Sequence, residues 1–223
     1  MEKNMKQELF KEALNSGNID DIKRYLKDEQ VNPAADNNYA IKWAAENGYI
    51  EVVELLLEDK RVDPSAGDNC AIRWASANGH TEVVELLLKD KRVDPSVYNN
   101  YAIRWASENG HTEVVGLLLE DERVDPSIHN NYAIRWASEN GHTEVVGLLL
   151  EDERVDPSAD DNYAIRRASE NGHTEVVELL LKDKRVDPSD DNNYALKLAN
   201  ERGYEDIVNL LLSDERVVAK ENL

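Results

Sequence analysis

Four histidines, His80, His111, His142 and His173, stand 31 residues apart. Imidazole is a common zinc ligand, so a column of this kind raises metal chemistry first. Glu108, Glu139 and Glu170 repeat at the same interval, and paired carboxylates are the acid–base machinery of glycoside hydrolysis. Trp43, Trp74, Trp105 and Trp136 form a third column, which Arg167 continues. The regular period itself argues against the first two chemistries. Packed helices lie about 8–10 Å apart, whereas each zinc ligand must come within about 2.1 Å of the ion. Successive repeats therefore cannot deliver their imidazoles to one metal, and the carboxylate column has no nucleophile or distinctive acid beside it. No Gly-rich phosphate loop appears, and no Ser/His/Asp set stands outside the repeats. The expectation is no catalysis, no metal and no cofactor. For the tryptophans the expectation is packing between repeats, with the Arg167 guanidinium over the Trp136 ring as a cation–π contact.

The elements that position these columns follow from the period. All six prolines, Pro33, Pro64, Pro95, Pro126, Pro157 and Pro188, keep the 31-residue step. A strict period in this range marks a repeat array, in which each unit buries surface only against its neighbours. One unit can be read from Tyr101 onward. Ala102, Ile103, Trp105 and Ala106 have the spacing of a short helix with small residues on one side, and Asn99 or Asn100 is the expected N-cap. Gly110 ends that helix. A second helix starts near Thr112, where Val114, Val115, Leu117, Leu118 and Leu119 make an apolar face wide enough to need covering on two sides. Pro126 breaks the chain after it, and the polar stretch from Ser127 to Asn131 reads as a projecting loop or hairpin.

These residues resemble the ankyrin repeat. Gly110-His111, Val114-Val115 and Leu117-Leu118-Leu119 are similar to the second-helix signature of that family, and Ala106 matches its first-helix alanine. The short period resembles that of ankyrin arrays in large amoeba-infecting viruses and protists. Two features depart from the family pattern. Tyr101-Ala102-Ile103-Arg104 replaces the Thr-Pro-Leu-His turn, and the unit is two residues shorter than the usual length of about 33. The resemblance implies an all-α, ankyrin-type solenoid with a structural histidine at the turn into the second helix. It also implies a concave binding face built from loop tips and first-helix surfaces.

Seven helix-turn-helix units are expected in one array, residues 1–223. Residues 5–33 form an N-terminal cap, and internal repeats follow at 34–64, 65–95, 96–126, 127–157 and 158–188. Residues 189–219 form a C-terminal cap. Glu12, Asp21 and Arg24 replace apolar residues in the first unit, giving the polar outer face that a terminal repeat needs. The last unit keeps its apolar helix-two residues and has Ala219 where another proline would fall, so it caps more weakly.

The 223 residues carry a formal net charge of −20, from 46 acidic and 26 basic side chains. That balance opposes nucleic-acid binding and docking on anionic membranes and favours a basic protein partner. The single cysteine, Cys70, fits a reducing compartment. With no apolar run for a signal peptide or a membrane span, a cytoplasmic, monomeric chain is expected.

The informative differences lie after each proline. Ala35-Asp36, Ala66-Gly67, Ala159-Asp160 and Asp190-Asp191 occupy four units, whereas the two middle units carry Val97-Tyr98 and Ile128-His129. Apolar and aromatic residues at loop tips suit recognition, although drift among duplicated repeats is the competing explanation. Carried over from the family by position, the binding face adds Ala77, Glu108, Glu139 and Glu170, and Asp160 is a carboxylate that would meet the partner's charges. Gly116 and Gly147 replace a helix-two glutamate in the same units, either as slack or as clearance. The functional expectation is a protein-binding scaffold whose partner is basic or amphipathic. The alternatives are a self-associating array, joined through Leu211 of the last unit, or a recognition adaptor for a separate enzyme such as a ubiquitin ligase.

Overall fold

A computed structural model describes residues 2–221. Met1, Asn222 and Leu223, the ends of the expected 1–223 array, lie outside the described residues. Helices come in pairs: α1 (Glu2–Ser16) with α2 (Ile19–Leu26), α3 (Ala35–Glu46) with α4 (Ile50–Glu58), and α5 (Ala66–Ala77) with α6 (Thr81–Lys89). The pairs continue as α7 (Val97–Glu108) with α8 (Thr112–Leu119), α9 (Ile128–Glu139) with α10 (Thr143–Glu151), and α11 (Ala159–Asn171) with α12 (Thr174–Lys182). The last pair is α13 (Asp190–Arg202) and α14 (Glu205–Leu212), followed by α15 (Glu215–Glu221). Two compact units can be distinguished, one ending at Ala102 and one beginning at Ile103. In the first, α3 packs on α5, while α2, α4 and α6 pack in series. In the second, α9, α11 and α13 pack in series, as do α8, α10, α12 and α14.

The sequence pattern accounts for both layers. In the second helix of each internal repeat two valines and one leucine, such as Val145, Val146 and Leu149, are fully buried, at roughly 1.5–3 kcal/mol each. The flanking leucines are half-buried, as a face covered on two sides requires. In the first helices of the internal repeats the buried residues are mostly small, such as Ala133, Ala137 and Ser138 beside Ile134, which lets neighbouring helices approach closely. Gly110 has φ 77° and turns the chain into α8.

Of the two forms expected, loop or hairpin, the loop is found; no strand occurs among the described residues. The loop contains a left-handed turn of three consecutive residues. Asp36 to Asn38, Gly67 to Asn69, Tyr98 to Asn100, His129 to Asn131, Asp160 to Asn162 and Asp191 to Asn193 all have φ between 46° and 66°. Each turn is closed by a backbone bond across four residues, such as Asn131 N–H to Ser127 C=O at 2.8 Å. Left-handed residues cost roughly 1–2 kcal/mol each except for glycine and, to a lesser degree, Asn and Asp, which explains the Asn/Asp/Gly content of the segment. The N-cap expectation for Asn99 and Asn100 is corrected with it. Both are left-handed, at φ 55° and 54°, and in sibling repeats the last Asn of the turn reaches the loop that ends its own repeat. Oδ1 of Asn38, Asn69, Asn131 and Asn162 accepts from the backbone N–H of Asp63, Asp94, Asp156 and Asp187 respectively, at 2.7–2.8 Å. These asparagines are buried, so the bond satisfies groups cut off from water.

A second latch was not foreseen from the sequence. Arg154 donates through Nε and Nη2 to Asp152, and through Nη1 to the Val124 carbonyl of the preceding repeat at 2.8 Å. Arg61, Arg92, Arg185 and Arg216 repeat this geometry. These arginines hold Asp59, Asp90, Asp152, Asp183 and Asp214 below the usual carboxylate range, through side-chain hydrogen bonds that outweigh burial.

At the N-terminal cap, Glu12 and Arg24 are exposed and Asp21 is half-buried. Asp21 donates its N–H to Asn18 Oδ1, which caps α2. At the other end Asp214, Arg216 and Val217 repeat the latch, with Val217 fully buried. Without a proline after it, the chain winds into α15 against α13 and α14.

Candidate functional site

The tryptophan column forms part of a mixed aromatic strip on the first helices. In the second unit Tyr132 stacks on Trp105 (centroids 5.8 Å, planes 9° apart) and lies 5.4 Å from Trp136. Trp136 in turn lies 6.5 Å from Tyr163. Tyr132 of the following repeat is thus inserted between two tryptophans. The expected Arg167–Trp136 contact is therefore corrected. Arg167 lies 5.1 Å over Tyr163 instead, because that phenol occupies the space between the two. In the first unit Trp74 meets Tyr101 edge-on at 6.2 Å, and Trp43 stacks on Tyr49 at 4.9 Å.

The glutamate column is engaged within the fold. Glu108 accepts from the Tyr132 hydroxyl at 2.6 Å, and Glu139 accepts from the Tyr163 hydroxyl. Burial and these carboxylates push both phenols above their usual range. Glu170 binds Arg202 and Arg167 at 2.7 and 2.6 Å, which holds its carboxyl low. All three glutamates remain half-buried. Ala77, in the same column, is buried and offers no surface of its own.

The histidines take the structural role that the resemblance implied. Nε2–H of His80, His142 and His173 donates to the backbone carbonyls of Glu46, Glu108 and Glu139, each at 2.9 Å. These rings lie flat on the preceding repeat's turn glycine. A Cβ at Gly48 or Gly141 would come within 2.6 or 2.5 Å of the facing imidazole. A side chain at either glycine would thus displace the imidazole from its carbonyl. No group of three or more His, Cys, Asp or Glu side chains among the described residues could hold a metal ion.

The left-handed turn positions the loop residues. In the first unit Val97 is half-buried and Tyr98 is 56% exposed, more than any other aromatic among the large exposed hydrophobics. Tyr98 has φ 53°, a conformation uncommon for a bulky residue. Its hydroxyl donates to Asp68 at 3.0 Å, and Arg73 lies 4.5 Å over its ring. Arg73 also donates to the carbonyls of Asp68 and Gly67, bracing the neighbouring left-handed turn. In the second unit Ile128 is half-buried and His129 exposed, again at φ 53°. Asp160 is exposed and ion-paired to Arg135, which lies 4.9 Å from the Tyr163 ring. The sequence pointed to Tyr98 as a recognition residue but assigned no role to Arg73, Arg135 or Tyr163. Their invariant spacing was visible, but their partners lie one repeat away.

No helix among the described residues is long and apolar enough to cross a membrane. A sequence profile described as "Ankyrin repeats (3 copies)" matches residues 9–99, 72–161 and 134–221. Among solved structures, the chain is similar to an ankyrin repeat domain from Acinetobacter baumannii AYE. The two share 23% identity at a TM-score of 0.63, over 78% of this chain and 97% of the other. No curated protein sequence matches the chain.

Proposed function

The chain belongs to the ankyrin-repeat family, and from that premise we propose that it is a binding scaffold without catalysis. Ankyrin repeats are in general modules for protein–protein interaction. The partner here is a basic or amphipathic segment read by the first-helix and left-handed-turn surface. Val97 and Tyr98 in the first unit, and Ile128 and His129 in the second, supply apolar and aromatic anchors. Exposed carboxylates at Asp161 and Asp191 supply charge. One observation carries the reading. Tyr98 holds a bulky, exposed ring at a backbone conformation where a sibling repeat has Gly67. Strain of this kind persists where the surroundings over-determine it, and it clusters at binding sites.

The test is affinity capture from a cell lysate with wild type and with Tyr98→Ala/Ile128→Ala, followed by titration of the captured partner. The double variant is expected to lose affinity by about tenfold or more, binding to weaken with added salt, and Glu54→Ala on α4 to bind as wild type. Equal losses from both variants would remove the footprint.

End-to-end self-association has one observation in its favour. Gly203 faces open space, whereas Gly48, Gly110, Gly141 and Gly172 each lie under a ring of the next repeat. Leu211 is buried in its own repeat, so Leu212, at 41% exposure, is the residue to change. A mass that stays monomeric at high concentration, and is unaltered by Leu212→Lys, would dispose of that alternative.

A further inference from the structure

The aromatic strip has a gap in the first unit. In the register of the repeats, Cys70 stands where Tyr132 and Tyr163 stand in the second unit. Those phenols sit between a tryptophan of the preceding repeat and the rung of their own, with the hydroxyl on the preceding glutamate. At the Cys70 position the residues that line this slot elsewhere recur in register. Trp43 and Trp74 correspond to Trp105 and Trp136, and Glu46 corresponds to Glu108. The tyrosine alone is missing.

The surroundings differ accordingly. Trp43 has turned onto Tyr49, at 4.9 Å. Trp74 is 39% exposed, whereas Trp105 and Trp136 are half-buried. Glu46 uses its backbone carbonyl to accept from Asn78 and His80. Its exposed carboxylate makes no hydrogen bond or ion pair among the described residues. The Trp74 indole, which meets Tyr101 edge-on and stays 39% exposed, and the unpaired Glu46 carboxylate together offer an aromatic face and a polar acceptor. A phenol satisfies both, since its face stacks on indole and its hydroxyl donates to carboxylate.

We infer that the slot formed by Trp43, Trp74 and Glu46 receives a tyrosine side chain from the partner, reproducing between two molecules the contact that Tyr132 makes within the chain. This rests on the reading that the first-helix face receives the partner, and it adds that the partner presents a tyrosine there.

The probe is N-acetyl-tyrosinamide, followed through the indole N–H resonances of the four tryptophans. Saturable shifts are expected at Trp43 and Trp74, with Trp105 and Trp136 unmoved. N-acetyl-phenylalaninamide is expected to respond several-fold more weakly, because it lacks the hydroxyl. Cys70→Tyr fills the slot from within and is expected to abolish the response. Glu46→Gln, at an exposed position that cannot unfold the chain, is expected to weaken it several-fold and decides the matter should Cys70→Tyr fail to fold. Ile128→Ala is expected to leave the response intact, which separates a failure of the wider footprint from a failure of the slot. The inference is overturned by an equal response in Cys70→Tyr, by an equal response to the phenylalanine probe, by a stronger response to N-acetyl-argininamide, or by none at all.

Discussion

Oδ1 of Asn131 accepts the backbone N–H of Asp156 at 2.8 Å, reaching from a left-handed residue of one repeat to the Val-Asp-Pro turn at the end of the same 31-residue step. The bond explains why this asparagine recurs where Asp, Gly, Tyr and His all serve two residues earlier. The first residue of the turn needs only to tolerate its backbone. The third must also carry an acceptor of the right length.

Asn131→Ala is accordingly expected to cost about 2–4 kcal/mol, combining a stranded N–H with a strained backbone. Asn130→Ala, next to it but exposed, carries only the backbone part, about 1–2 kcal/mol. Urea unfolding of the two variants measures the difference. Equal losses would mean that the side-chain bond contributes nothing.

Gly141 and Gly203 share a left-handed φ, 78° and 77°, but only Gly141 is covered by an imidazole, 2.5 Å from where a Cβ would be. Both alanine variants suffer the backbone strain. Gly141→Ala should lose about 1–3 kcal/mol beyond Gly203→Ala, because the His173 ring must move off its carbonyl. Thermal melts of the pair check this.

Gly147 lies inside α10 with nothing within 4 Å of a built Cβ. Gly147→Ala should therefore stabilise the protein by about 0.5–1 kcal/mol, by removing conformational freedom from the unfolded chain. Gly116→Ala should act similarly, since its Cβ would meet Leu148 at an ordinary 4.0 Å. A loss of partner affinity in these variants with stability raised would favour clearance over slack.

The Asp–Arg latches set the response to acid. Asp90, Asp152, Asp183 and their counterparts titrate below their ordinary value of 3.8 when folded, chiefly through bonds from arginine. A depressed folded pKa adds stability that is complete above the unfolded value and is lost as pH falls through the folded one. Melting temperature should therefore be flat from neutral pH down to about pH 5 and fall steeply below about pH 4. Arg154→Gln should soften that fall while lowering the plateau. A titration curve parallel to wild type would show that the latch is not the cause.

Interactions that act within a few residues were legible in the sequence. The Val and Leu pattern of TEVVGLLL, the glycine before His142 and the proline step are all of this kind. Helix pairs, turns and the period could be read from them. So could the mismatch between the histidine column and a single shared ion, because imidazoles one repeat apart are held a helix width from each other.

What lay one repeat away was not legible. Whether Glu108 faces solvent or a phenol depends on Tyr132, 24 residues on. Whether Arg167 covers Trp136 or Tyr163 depends on which ring enters the space between stacked helices. The sequence by itself determined the repeating unit, its two helices and its acidic surface, because propensity, capping and charge are properties of residues and near neighbours. Only the tertiary structure decided that the loop is a run of left-handed residues, that the glutamates are engaged internally, and that Trp43 stacks on Tyr49 while Trp74 stays exposed. The glutamate contacts are distances between repeats, set by how closely small first-helix residues let the helices stack, whereas the turn is closed by bonds within its own repeat.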